Sequence, residues 1–335
     1  MRRYLFALIA ILFLVCPVVA LGQTKEHADT GKATATKKRA KKPSSSKQAQ
    51  AETGSAPRRL WFSFALSSWF DSNIDDDQES INSFGLVPSA GVHFQNDVEK
   101  PTFEADYEVA MHRYTNTDKY DLVSHYFKTS YRRQLTRKLQ ARTTGEVSLK
   151  GSSEDHDVNN QYILEQQLQY RFNSDNRVRF FAAYRVKRYP LEDIGKNAID
   201  PYIGVRFDHK LSGGRGWEIM YRYDKNRSED PKDRYVRRMF SAQFHTPLFK
   251  GRRDLLTLET RYSPRLYARQ VKVDGERVPR RDKRWGFDVL YERPLRDNVQ
   301  LGLQYSFDKR NSNDPDKDFD SHVFGVTFGF KWWKE

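Results

Sequence analysis

The sequence predicts an all-β chain: a transmembrane antiparallel β-barrel of about fourteen strands behind a disordered N-terminal tail. Three observations point there. Apolar and polar residues alternate over segments often 12–14 residues long, well beyond the roughly 5–6 of an ordinary soluble strand. The connections between segments alternate between short and long. A secretory leader opens the chain.

The leader comes first. Met1-Arg2-Arg3-Tyr4 is basic, residues 5–15 are apolar and uncharged, Pro17 breaks the run, and Ala20-Leu21-Gly22 offers small residues for cleavage. Residues 1–22 therefore read as a signal peptide, cut after Gly22 or, as the alternative, after Ala20. Cys16, the single cysteine, leaves with it. An exported chain that builds no disulfides suits a bacterial envelope better than a eukaryotic secreted module.

Residues 23–58 follow without strand or helix periodicity. They are rich in Ala, Lys, Ser and Thr and hold Lys37, Lys38, Arg39, Lys41 and Lys42. This is the composition of a disordered basic tail, and it suits anionic cell-wall polymer (peptidoglycan) or lipid headgroups rather than nucleic acid. The barrel is placed at 59–335.

From residue 59 period-two segments fall at about 59–70, 83–95, 101–114, 120–133, 138–151, 160–173, 177–190, 200–211, 216–227, 234–247, 253–268, 283–294, 298–309 and 320–332. A tilted strand needs only about 9–11 residues to cross a bilayer. Connections after even-numbered segments are mostly tight, as at Asn173-Ser174-Asp175-Asn176 and Ser212-Gly213-Gly214-Arg215. Those after odd-numbered segments are longer and polar: 71–82, 152–160, 225–233, 271–282 and 311–320. Loops sorted by length onto two ends, with an even strand count, place both termini on the short-loop, periplasmic side. Neither a soluble sandwich nor a propeller sorts its loops this way, and no fixed-period repeat is present.

The last segment shows what the alternation is for. Phe324, Val326, Phe328, Phe330 and Trp332 share one face, with Gly325, Thr327, Gly329 and Lys331 on the other. The same pattern recurs in Phe103, Ala105, Tyr107, Val109 and Met111, and in Val178, Phe180, Ala182, Tyr184 and Val186. In lipid such faces turn outward and the sheet must close on itself. Gly325-x-x-Phe328-x-Phe330 followed by Trp332 resembles the C-terminal signal of Gram-negative outer-membrane β-barrels, although this chain ends in Trp333-Lys334-Glu335 rather than in Phe. The resemblance covers 59–335 and assigns no subfamily. It implies an outer-membrane location, contact with outer-membrane lipid and lipopolysaccharide, and delivery by periplasmic chaperones to barrel-assembly machinery.

The residues between the apolar ones then face the lumen. One wall is basic: Arg142, Lys150, Arg171, Arg179, Arg185, Lys187 and Arg206. Another is acidic: Glu104, Asp106, Glu108, Glu259, Asp288 and Glu292. Opposed charged walls create a transverse field that favours water and small polar solutes. The function expected is porin-like passive diffusion of small hydrophilic solutes. The alternatives are an export or assembly barrel for polysaccharide, lipid or lipoprotein with a periplasmic partner, or a structural or adhesive barrel with a closed lumen.

No cofactor is implied. Asp75, Asp76 and Asp77 form a weak candidate for a divalent cation but lack the pattern of a calcium loop. Enzymatic activity is not expected. Ser124-His125 and Ser321-His322 are adjacent in sequence, and neighbours on one strand point to opposite faces.

Overall fold

In the computed structural model the described residues are 59–73, 82–97, 102–116, 121–152, 159–189, 197–249, 253–273 and 275–333. The expected signal peptide, the tail and Asp75, Asp76 and Asp77 lie outside them.

The strands are β1 (Arg59–Asp71), β2 (Ser83–Gln95), β3 (Phe103–Tyr114), β4 (Leu122–Gln134), β5 (Leu139–Ser152), β6 (Asn160–Arg171), β7 (Asn176–Arg188), β8 (Ala198–Ile199), β9 (Tyr202–Lys210), β10 (Gly216–Ser228), β11 (Tyr235–Thr246), β12 (Leu255–Val273), β13 (Glu276–Arg296), β14 (Val299–Ser312) and β15 (Phe319–Trp333). Each pairs antiparallel with its neighbours, and β15 pairs with β1 from Trp61↔Trp333 to Asp71↔Val323. The sheet is thus a closed barrel.

β8 and β9 form a single stave, so the ring has fourteen. Pro201 has no N–H to give to the ladder, which is why this stave is interrupted. The break stays hydrogen-bonded: Asp200 N donates to Arg185 O at 2.7 Å and Lys225 N to Pro201 O at 3.1 Å.

One expected connection is corrected. Segment 271–282, read above as a long loop, is mostly strand: β12 runs to Val273, β13 starts at Glu276, and Gln270↔Pro279, Val271↔Val278 and Lys272↔Arg277 pair beyond a bulge. Gly275 sits at φ 87°, a conformation that costs other residues a clash of Cβ with the backbone. The sequence signal was there. Asp274-Gly275 between alternating β-branched residues is a hairpin turn signature.

Alternation sorts the side chains as the residue types require. Phe64, Phe127, Phe180, Ile219, Phe240, Trp285 and Phe328 all project outward and are exposed in the isolated chain. These faces form an apolar belt around the ring, a surface far larger than a water-soluble monomer carries. Aromatic residues mark its margins, with Tyr131, Tyr170 and Trp332 at the short-loop end and Tyr184 and Trp285 toward the other. Such rings belong at membrane–water interfaces.

The register generates a direct test. Val109→Lys or Leu301→Lys places charge in the belt and should cost about 2–4 kcal/mol at mid-depth. The same residue at Glu108 or Gln300, on the lumen face, should fold normally. Heat-modifiable gel migration reads both, and equal outcomes on the two faces would refute the register.

Candidate functional site: the charged lumen wall

The interior is built from the inward half of every strand, and its charges come in cross-strand groups. On β7–β11 two carboxylates are wholly buried. Asp200 lies 2.5 Å from Arg185 Nη2 and 3.0 Å from Lys187 Nζ. Asp224 lies 3.0 Å from Arg222 Nε and 2.5 Å from Arg237 Nε. A buried carboxylate demands a counter-charge, and here each has two.

Closer to the short-loop end a second group forms. Asp208 accepts from Arg179 and, at 3.2 Å, from Arg177, while Glu218 lies 2.6 Å from Arg179 and 3.0 Å from Arg206. Seven cations thus share four carboxylates along this arc, which keeps it net positive.

Beneath the charges lies a small apolar layer, still on the lumen side. Ile163, Phe181, Ala183, Tyr202 and Met220 are buried together, with Met239 packed against them. The cations cover it. Arg206 stands 5.8 Å from the Phe181 ring centroid, and Arg222 and Arg185 stand 4.9 and 5.5 Å from that of Tyr202. A guanidinium over an aromatic face gains from the ring quadrupole while its edge stays free for carboxylates. Lys187 Nζ donates to Tyr235 Oη at 3.3 Å, a chord linking staves three places apart.

The expected site residues fall as follows. Arg179, Arg185, Lys187 and Arg206 join the groups just described. Arg142 stands 3.9 Å from Glu104, which accepts from Arg132 Nη2 at 2.7 Å, so members of the basic and acidic sets lie side by side across β4. Lys150 and Glu108 face inward by strand alternation, and Lys150 N donates to Asn160 at 2.8 Å. Arg171 is exposed at the short-loop rim, opposite Arg177 in register. Glu259 and Asp288 share Arg261, at 3.7 and 2.6 Å. Glu292 accepts from Gln300 at 2.7 Å, and Asp106 contacts His93 at 2.8 Å. The C-terminal motif lies on β15, where Phe328, Phe330 and Trp332 face outward and Gly325 makes room for Trp69.

Several inward residues escaped sequence reasoning: Asp200, Asp224, Arg222 and Arg237 among them. Period-two alternation marks them as inward, but only the strand register shows that they meet. The Ser-His neighbours separate as alternation requires. Ser124 meets His112 at 3.3 Å while His125 meets Tyr107 at 2.9 Å; Ser321 donates to Asp71 at 2.8 Å while His322 meets Tyr305 at 3.0 Å. No group of three or more potential metal ligands forms among the described residues.

No family model and no curated sequence matches the chain. Among solved structures it is similar to the anion-selective porin of Comamonas acidovorans, at 9% identity and TM-score 0.49 over 82% of this chain and 99% of that one. Outer-membrane OmpT of Vibrio cholerae gives 9% and 0.49 over 82% and 98%, and OprD of Pseudomonas aeruginosa 11% and 0.42 over 86% and 97%. The barrel described above rests on the closure of this chain's own sheet.

Asp224→Asn tests the energetic reading. It leaves Arg222 and Arg237 buried against a neutral amide and should cost about 3–5 kcal/mol, measured as a shift in the urea midpoint of the refolded barrel. Asp297→Asn, which removes an exposed rim pair with Arg253, should change stability by less than about 0.5 kcal/mol.

Proposed function

We propose that the chain is a porin-like channel of a bacterial outer membrane, passing small hydrophilic solutes by passive diffusion, with both termini on the periplasmic side. The observation that carries this reading is the inner wall. It is lined by charged and amide side chains whose counter-charges come from neighbouring staves, in a ring of fourteen. Eight staves are just filled by their own side chains, so fourteen enclose a wider lumen. Diffusion needs no chemical step and no cofactor. Lipopolysaccharide and phospholipid would surround the belt, assembly machinery would read the β15 motif, and the basic segment 23–58 would meet peptidoglycan.

Polar solutes suit such a wall because its charges are fixed and its polar side chains can replace a solute's hydration water stepwise. Apolar solutes find no comparable surface there, since the apolar layer lies beneath guanidinium groups.

Single-channel recording in a planar bilayer, with and without residues 23–58, tests this. Steady conductance is expected in both forms, and silence in both would overturn the reading. The double variant Glu259→Gln/Asp288→Asn leaves Arg261 unopposed and should move the reversal potential toward anions. An unchanged potential would remove this wall from the conduction path.

A further inference from the structure

Near the seam where the barrel closes, β1, β2 and β3 bring three inward side chains into line. Ser63 Oγ lies 2.8 Å from His93 Nε2, and His93 Nδ1 lies 2.8 Å from Asp106 Oδ1. Strand register explains the placement: Ser63 pairs with Gly91, two residues from His93, and His93 pairs with Asp106. Gly91 is what lets serine and imidazole meet. A Cβ there would stand 2.6 Å from Ser63 Oγ and 3.0 Å from His93 Nε2. Trp61, opposite His93 in register, stacks on the imidazole with centroids 5.0 Å apart and planes 13° apart, which holds the ring's orientation.

The proton positions follow from the partners. An ionised Asp106 only accepts, so Nδ1 of the neutral imidazole carries the hydrogen and Nε2 presents its lone pair. The Ser63 hydroxyl must then donate to Nε2. Nucleophile, base and orienting carboxylate stand in the order that defines a serine-hydrolase relay, which is recognised by geometry and not by sequence order. The base is within reach of the proton it would take.

We propose that Ser63, His93 and Asp106 form a catalytic triad that hydrolyses short, hydrophilic carboxylic esters entering the lumen. Ser63 Oγ attacks the ester carbonyl carbon as His93 Nε2 takes the Oγ proton. The tetrahedral intermediate collapses by breaking the bond to the alcohol oxygen, and the alcohol leaves with the proton from Nε2. Water then attacks the acyl carbon, gives a proton to Nε2, and Ser63 departs with that proton. Ester and water become acid and alcohol, with no redox partner. Asp106 holds the tautomer and stabilises the imidazolium.

Charge on the intermediate needs a donor. Strand N–H groups are committed to the ladder, so the role falls to a side chain. Lys331, exposed on β15 and paired with Ser63 in register, is the cation placed to take that role. The surroundings set the substrate class. Gln95, Glu104, Lys128 and Arg132 are among the inward side chains nearby on β2–β4, and this polar, charged surround suits a short, hydrophilic ester.

The test uses the full chain refolded in detergent micelles, with a fluorophosphonate probe and a short-chain nitrophenyl ester. Peptide mapping should find the probe on Ser63, and Ser63→Ala should abolish both labelling and ester hydrolysis. Asp106→Asn should lower hydrolysis by about 10³-fold or more, because the amide favours the wrong tautomer. Ser67→Ala, which removes only a hydroxyl bonded to Thr327 at 2.8 Å, should leave the rate unchanged. Heat-modifiable migration confirms that each variant is folded. An unlabelled Ser63 in a folded barrel, or hydrolysis that survives Ser63→Ala, would overturn the proposal and leave the serine as one more bond in the wall.

Discussion

The structure depends on a single constraint: in lipid, every strand N–H and C=O must find a partner within the sheet. An open sheet would leave two rows of unmet groups, each costing several kcal/mol in hydrocarbon. The pairing of β1 with β15 removes both rows at once. Closure then dictates the rest. With the ladder continuous, each strand has one face for lipid and one for the lumen, and a shift by one residue would exchange them along its whole length. That is why Phe, Leu and Val can alternate with Arg, Glu and Asp without conflict, and why a chain of mean hydropathy -0.84 can live in a membrane.

Inside, the wall meets a second demand. Guanidinium and carboxylate groups that face each other across neighbouring strands are too close to the protein to be fully hydrated, so they neutralise one another in groups. Arginine serves better than lysine here because its planar fork can bond a carboxylate at its edge while lying over a tyrosine. Arg222 does both, between Asp224 and the ring of Tyr202. The resulting wall is charged in detail yet balanced over short distances, with unbalanced charge only where cations outnumber acids, as on β7–β11.

Most of the barrel could be read from the residues. The segment 83–95 coincides with β2, and most other boundaries agree within a few residues, because side-chain alternation is imposed by two solvents and survives in the sequence. What alternation cannot carry is register. Nothing in the sequence says that Arg237 meets Asp224 or that Ser63 meets His93, since those contacts depend on how adjacent strands slide. The interruption at Pro201 was visible as a proline but not as a break. The extended β12–β13 ribbon was misjudged because its upper part is polar: Lys272, Glu276 and Arg277 look like loop residues when the strand they occupy has left the membrane.

That ribbon has a consequence for how molecules of this protein meet one another. β11 stops pairing with β12 at Tyr267, and β14 reaches β13 only from Asp282. Just above those points the last ties are Ala268 N to Arg234 O at 2.9 Å on one edge, and Asn313 with Arg281 and Pro279 on the other, and the tip of the ribbon beyond them carries edge backbone into water. Bare edges invite a strand from a second molecule. Arg269, Lys272 and Arg277 stand exposed there, and Pro279 withholds a donor. Like charges repel a matching ribbon and a proline spoils its register, so crowded copies are kept from zipping together.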